Sequence, residues 1–479
     1  MLALAVFPPG AASADSPPCP RPNIVVILAD DLGWSDLSCY GSAYHRTPAI
    51  DSLAAQGAKF TNSYAAAAIC SPTRASLLTG KYPARLHLTH IVQAAPARLG
   101  KLRDPDWTPY VGLDEITLAE TLRGAGYATG IIGKWHLGGA PGRSATGDGA
   151  EGDPTRQGFD LYRGGNSQGQ TPDYFFPYRR AYANGTTYGL ENLEGGREGE
   201  YLTDRLTLEA EKFIDEHHEK PFFLLLAHFA PHTSMGDRLQ AKPATIANFQ
   251  RTATPNGLQR DPVYAAMLAS LDESVGRVLE KLAQLGIAEK TLVIFTSDNG
   301  GVEGKTSNLP LRGAKQTPYE GGLRVPTIIR WPGKIAPEKM APGKIAPGKI
   351  GPGRVIEQPI CTPDFYSTVV EAAGAVPQAT PLIDGRSLVP LVCGDGHFER
   401  DAIYWHYPHC DTEPYSIVRR GNFKLIEFLA DGRLELFDLK ADPGEEHNLA
   451  VALSDKATEL REDLARWRES VGAQMPLGE

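Results

Sequence analysis

Short apolar or β-branched runs occupy residues 23–29, 127–132, 222–227, 291–296 and 326–330, and stretches of helical periodicity lie between them at 47–56, 117–124, 202–217 and 263–285. The last of these is the clearest, with Met267, Leu268, Leu271, Val275, Val278, Leu279 and Leu282 recurring at helical spacing. Strands that read as continuous apolar runs are buried on both faces, so their alternation with amphipathic helices predicts an α/β fold: a large mixed, mostly parallel sheet sandwiched by helices. After residue 375 the pattern changes to short strands at 415–419, 424–427 and 434–438, followed by a closing helix over about 454–470. That predicts a smaller C-terminal α+β domain with an antiparallel sheet. The division expected is therefore 19–375 for the large domain and 376–479 for the small one.

Two segments fall outside this pattern. Residues 333–354 read GKIAPEKMAPGKIAPGKIGPGR, a varied five-residue repeat whose Pro and Gly density prevents a packed helix or a central strand, so a mobile basic loop is expected there. Residues 1–18 hold a short apolar stretch, then Pro8, Pro9 and Gly10, then Ala12, Ser13 and Ala14, like the tail of a secretory signal peptide without its basic start. Export to the periplasm or the medium is the expectation.

The 479 residues are 42% hydrophobic and 22% charged, which excludes disorder, and no apolar run approaches the roughly 18 residues of a membrane span. Lys and Arg number 48 against 57 Asp and Glu, a net charge of −9, so nucleic acid is not an expected partner. The six cysteines, at 19, 39, 70, 361, 393 and 410, are too irregular for a disulfide scaffold or a zinc site.

Open α/β sheets bind ligands beyond the carboxyl ends of their strands, so the polar residues that follow each run carry the information. Asp30 and Asp31 close the first run, Lys134 and His136 follow the second, His228 and His232 the third, and Asp298 and Asn299 the fourth. Asp30, Asp31, Asp298 and Asn299 offer hard oxygen donors without thiolate, a set suited to Ca²⁺ or Mg²⁺. Either acidic pair alone would read as a cap or turn; their joint placement at one edge favours a metal. In Cys70-Ser71-Pro72-Thr73-Arg74, running on to Gly80, Ser71 suits an N-cap, Pro72 the first helical position and Gly80 a C-terminal stop. Cys70 and Arg74 would then lie at a helix N-terminus, where anions are attracted.

With this C-x-P-x-R signature and its trailing Leu-Thr-Gly, the chain resembles the sulfatase family of the alkaline phosphatase superfamily. The resemblance also covers ILADDLGW at the first run, GKWHLG around 133–138, PFFLLLAHFAPH from 221, FTSDNGG from 295 and LRGAKQTPYEGGLRVP from 311, and it extends to NLA at 448–450. It implies that Cys70 is converted by a maturation enzyme to formylglycine, whose hydrated aldehyde attacks sulfur and whose second hydroxyl lets the covalent sulfate collapse without water attacking sulfur. It further implies that Asp30, Asp31, Asp298 and Asn299 hold calcium and that Arg74 stabilises the attacking hydroxylate. Lys134 and Lys315 match the lysines that bind sulfate oxygens. His136 matches the histidine that accepts the proton during collapse, and His232 the one beside the leaving oxygen, general acid together with Lys315. His228 lies off the Pro231-His232 motif and reads as structural. A further polar substrate contact matches Asn166 or Ser167, and spacing leaves both open. Thr73 and Ala314 replace the commoner serine and glycine without removing a functional group.

The expected activity is hydrolysis of a sulfate monoester, on a sugar of the galactose or N-acetylgalactosamine type, with turnover of aryl esters as a side reaction. A formylglycine-dependent phosphodiesterase or phosphonate monoester hydrolase is the alternative enzyme. A carbohydrate-binding relative without catalysis is the alternative from another class.

Overall fold

A computed structural model describes residues 21–138, 152–165, 168–181, 185, 187–190, 192–254, 258–334, 353–377, 382–394 and 398–478. The leader-like residues 1–18, most of the basic repeat, and Asn166 and Ser167 lie outside the described residues.

Eight strands form the main sheet: β1 (Asn23–Asp30), β2 (Ala58–Phe60), β3 (Ala128–Gly133), β4 (Leu161–Arg163), β5 (Phe222–Pro231), β6 (Thr291–Ser297), β7 (Thr327–Arg330) and β8 (Arg354–Ile356), in the order β8-β2-β7-β6-β1-β5-β3-β4. β1 lies at the centre, parallel to β5 and β6, and β5 is parallel to β3. β7 is antiparallel to both its neighbours, so the sheet is mixed but mostly parallel, as the periodicity predicts.

The runs are continuous because β1 has no solvent face. Val25, Ile27 and Ala29 pack into one layer with the helices α1 (Pro48–Gln56), α4 (Leu202–His217) and α5 (Pro262–Gln284). Ile24, Val26 and Leu28 pack into the other with α2 (Cys70–Thr79), α3 (Leu118–Gly124) and α6 (Pro363–Ala373). Each such aliphatic side chain contributes about 1.5–3 kcal/mol on full burial. Helix starts follow local chemistry: Asp261 caps α5 through the N–H groups of Val263 (2.8 Å) and Tyr264 (3.1 Å), and Thr117 with Glu120 forms a capping box at α3.

The expected cap at Ser71 is corrected. α2 begins at Cys70 after an extended Ile69, and Ser71 lies inside the first turn with its hydroxyl donating to the His136 carbonyl at 2.9 Å. Gly80 stops the helix as expected, in the left-handed conformation at φ 69°.

At the C-terminus, β9 (Ile403–Tyr407), β10 (Tyr415–Arg420), β11 (Phe423–Phe428) and β12 (Leu434–Asp438) form a sequential antiparallel sheet, covered by α7 (Ser454–Val471) through Leu460, Leu464 and Trp467. β9 is an addition to the strands read from sequence. This sheet meets the main body where Trp405 donates to the Ala65 carbonyl at 2.8 Å, and beside a buried charge cluster. There the Lys424 ammonium lies 3.1 Å from Glu320 and 2.8 Å from Glu445. No helix among the described residues is long and apolar enough to cross a membrane.

Candidate active site

The carboxyl ends of β1, β3, β5 and β6 deliver their trailing polar residues to one place, together with the start of α2 and the loop carrying Lys315. Asp30 and Asp31 leave β1 through a turn in which Asp31 has φ 65°. A non-glycine residue held there costs about 1–3 kcal/mol, which the surrounding contacts must offset. One carboxylate oxygen each of Asp30 and Asp31, Cys70 Sγ and a His232 ring nitrogen all lie within 4.8 Å of one another.

Two groups of contacts organise this centre. On one side Lys134 Nζ donates to Asp30 at 2.7 Å and the Cys70 thiol approaches the same carboxylate at 3.6 Å. Arg74 binds Asp298 through Nε at 2.9 Å and donates to the Lys134 carbonyl at 3.1 Å. On the other side Lys315 Nζ lies 2.7 Å from Asp31, His232 Nε2 lies 3.3 Å from it, and the Asn299 amide donates to it at 2.7 Å. β3 reaches this depth because Gly133 touches β5: a Cβ there would fall 1.9 Å from the Ala227 carbonyl oxygen.

Electrostatics divide the carboxylates. Burial, reinforced by Asp298, pushes Asp30 up to about 7 even though Lys134 and Arg74 act in the opposite sense. For Asp31 burial is outweighed by His232, Lys315 and Lys134, so it is held below the usual carboxylate range. Asp298 is likewise lowered, its burial overcome by Arg74 and Lys134. Burial pushes the Cys70 thiol up to about 12, so an unmodified thiol here is not a thiolate at neutral pH. The donors fit a hard cation: three carboxylates converge, and the buried Asn299 Oδ1 has no hydrogen-bond partner.

The two histidines differ. His232 donates from Nδ1 to the Thr233 carbonyl at 2.8 Å, and its own carbonyl accepts from the Tyr174 hydroxyl at 2.7 Å, which fixes the ring with Nε2 toward the centre. Burial pushes it down to about 3 against the opposing effect of Asp31. His136, at φ 59°, turns Nε2 to the Gln93 amide oxygen at 2.7 Å and leaves Nδ1 buried without a partner. Burial, then Lys134 and Arg74, hold it well below the ordinary histidine range. A neutral ring with its proton on Nε2 presents the Nδ1 lone pair as a base. His228 points away, its Nε2 on Ser274 at 2.9 Å inside the α4–α5 layer, in keeping with a structural role.

All ten described residues singled out in the sequence are thus brought together: Asp30, Asp31, Cys70, Arg74, Lys134, His136, His232, Asp298, Asn299 and Lys315. Gln93 and Tyr174 are additions. Both lie on irregular segments that carry no periodic signal, and only their partners identify them.

The chain has counterparts among known proteins. The family model described as Sulfatase matches residues 22–375, and one described as N-sulphoglucosamine sulphohydrolase, C-terminal, matches residues 314–470. Arylsulfatase A of Homo sapiens is 32% identical over 490 residues, spanning 92% of this chain and 86% of the human protein. N-acetylgalactosamine-6-sulfatase of Canis lupus familiaris is 33% identical over 430 residues, spanning 85% of this chain and 72% of the canine protein. The solved structure of Ps i-CgsB in complex with k-i-k-neocarrahexaose superposes with a TM-score of 0.75 at 30% identity, over 94% of this chain and 93% of that one. With the family match covering most of the sequence, and with relatives alike in fold along nearly their whole length, this chain belongs to the sulfatase family and is an enzyme that hydrolyses sulfate esters.

Proposed function

We propose that this enzyme removes sulfate from a sulfated carbohydrate of the galactose or N-acetylgalactosamine type, using formylglycine formed from Cys70 by a maturation enzyme. The observation that carries this reading is the convergence of position 70, two carboxylates and His232 within 4.8 Å, ringed by Arg74, Lys134 and Lys315. The carbohydrate part draws support from the N-acetylgalactosamine-6-sulfatase relative and from the neocarrahexaose-bound structure. Export to the periplasm or the medium belongs to the same reading.

In this mechanism Cys70 Sγ stands where a hydroxyl of the hydrated formylglycine would be. Asp30, Asp31, Asp298 and Asn299 would hold a divalent cation, Ca²⁺ or Mg²⁺, which supplies positive charge against the sulfate oxygens. Arg74 and Lys134 favour the deprotonated hydroxyl, which attacks sulfur as the bond to the sugar oxygen breaks. The leaving oxygen takes a proton from His232 or Lys315. His232 is neutral in the free enzyme, and an anionic ester beside it acts as Asp31 does, favouring its charged form. The second hydroxyl at position 70 then gives its proton to His136 Nδ1. Its electron pair forms the C=O bond while the bond to sulfate breaks, and water restores the diol.

A formylglycine-dependent phosphonate monoester hydrolase or phosphodiesterase is the second reading. It is favoured by the shared fold of the Agrobacterium radiobacter phosphonate monoester hydrolase, at a TM-score of 0.65 and 22% identity, a likeness of fold alone. Paired assays on sulfate and phosphate esters of one leaving group decide between them: higher kcat/KM for the sulfate is expected, and a preference for the phosphate would reverse the assignment.

A further inference from the structure

The segment that supplies Gln93 to His136 continues into a short hairpin, strands Arg98–Leu99 and Leu102–Arg103 joined by Gly100 and Lys101. Its register sets Arg98 directly opposite Arg103, and Lys101 adds a third cation at the tip. Like charges across an antiparallel pair oppose pairing, so the sequence Arg-Leu-Gly-Lys-Leu-Arg works against its own hairpin. It also runs against the net charge of −9 carried by the chain. All three cations are exposed, and among the described residues Lys101 and Arg103 form no ion pair.

The base of the hairpin is fixed. The Asp104 carboxylate accepts from Ala97 N at 3.0 Å and from Cys410 N at 2.6 Å, so the nearest acid is engaged with backbone N–H groups. Arg103 pairs with Leu477 of the C-terminal strand, and Gln474 donates to the Asp106 carbonyl. At the foot of the hairpin lies a cleft of about 380 Å³, within the size range of small-ligand sites, lined by Arg98, Arg103, Asp104, Asp106 and Trp107. Four residues of chain separate Arg98 from Gln93, and the five peptide steps bound their Cα distance at about 18 Å. Gln93 Oε1 itself lies 2.7 Å from His136 Nε2, so the hairpin begins within the length of a short oligosaccharide from the reacting centre.

We propose that this hairpin and cleft bind a second anionic group of the substrate chain, a sulfate or a uronate carboxylate, so that the enzyme prefers a multiply charged oligosaccharide to a singly sulfated sugar. This rests on the sulfated-carbohydrate reading above. Guanidinium groups suit both anions through paired N–H donors.

The test uses the matured full-length enzyme and an Arg98→Ala/Arg103→Ala double variant. The probes are 4-methylumbelliferyl sulfate, a galactan tetrasaccharide with a sulfate on each galactose, and a sulfated tetrasaccharide containing uronate. For any tetrasaccharide that is turned over, Kd is measured by calorimetry with Cys70→Ala added to both proteins, which removes turnover; otherwise it is measured on the matured enzymes. The double variant should weaken tetrasaccharide binding about tenfold, flatten its salt dependence, and lower the tetrasaccharide-to-aryl ratio of kcat/KM for any tetrasaccharide hydrolysed. A loss confined to the galactan identifies sulfate as the second anion, and a loss confined to the other probe identifies the carboxylate. Equal Kd values for wild type and variant overturn the proposal while leaving the carbohydrate reading intact. Failure of the underlying reading looks different and takes the proposal with it: wild type would then bind neither tetrasaccharide, or would prefer a phosphate ester to 4-methylumbelliferyl sulfate.

Discussion

Two of the regions in which this molecule buries charge do so to different ends. At the junction of the two sheets, Lys424 lies between Glu320 and Glu445, Tyr64 donates to Glu320 at 2.6 Å, and the Glu320 backbone N–H donates to Glu445 at 2.7 Å. At the ends of β1, β3, β5 and β6, three carboxylates and three cations meet with similar density. A carboxyl group is pushed up to about 7 in each region, by burial above all: Glu445 in one and Asp30 in the other. Perturbed titration therefore does not tell the two apart. The pairing of their atoms does. At the junction Glu445 Oε1 lacks a hydrogen bond but lies 2.8 Å from the Lys424 ammonium, whereas at the site donor atoms of Asp30, Asp31, Cys70 and His232 converge within 4.8 Å and, among the described residues, Asn299 Oδ1 and His136 Nδ1 are left with neither a hydrogen bond nor an ion pair.

The sharpest way to break this contrast is to remove the group at the centre of the site. Cys70→Ala should lower kcat by at least about a thousandfold with little change in Tm. Mass spectrometry of the wild-type peptide should show conversion of Cys70 to the aldehyde in proportion to activity; full activity from unmodified Cys70 would reverse the assignment. Asp31→Ala is expected to lose both bound divalent metal and turnover. Its counterpart at the junction, Lys424→Met, should cost about 3–5 kcal/mol in unfolding free energy, because two buried carboxylates lose their cation, while kcat per folded molecule stays within about threefold. Urea titrations and metal analysis on the two variants read this directly.

Smaller effects separate roles within the site. His232→Ala should slow a sugar sulfate by about a hundredfold and an activated aryl sulfate far less, because a phenolate leaves without a proton. Equal losses on both esters, with metal content intact, would remove the general-acid role. Gln93→Leu should lower kcat about tenfold on both esters, since it releases the proton position on His136 without deleting the ring. A pH-dependent effect belongs to the junction. Glu445 is raised from 4.5 to about 7, so the folded state holds its proton more tightly and this contribution to stability falls as pH rises from 4.5 through 7. The Tm of wild type should accordingly drop relative to Glu445→Gln between pH 5 and pH 8 in thermal scans.

Much of this was legible in the sequence because a strand buried on both faces announces itself, and because the residue that ends its apolar run stands at the ligand edge. Asp30 and Asp298 follow from that rule alone, whereas after the third run the rule offers His228 and His232 alike and the Pro231-His232 motif of the resembled family selects His232. The three-residue strands Ala58–Phe60 and Arg354–Ile356 carry too little pattern to be read, and they form the far edge of the sheet. Gln93 was illegible for another reason. Its function arises from the fold of an irregular segment against His136, and a glutamine in a loop has no periodic or motif signal. The helix start at Cys70 was misplaced toward Ser71 because Ser is a strong cap in isolation, yet here its hydroxyl is drawn away to the His136 carbonyl.

The left-handed turn at Asp31 limits how this chemistry can be moved between proteins. In a regular strand, neighbouring side chains leave on opposite faces, so a second acid after the first would enter the helix layer instead of the ligand volume. Grafting the Asp-Asp pair onto an ordinary strand would deliver one usable carboxylate and bury the other among aliphatic side chains. A designer who wants both must transplant the bend with them, including the Asp298 side chain that accepts the Asp31 backbone N–H at 3.2 Å.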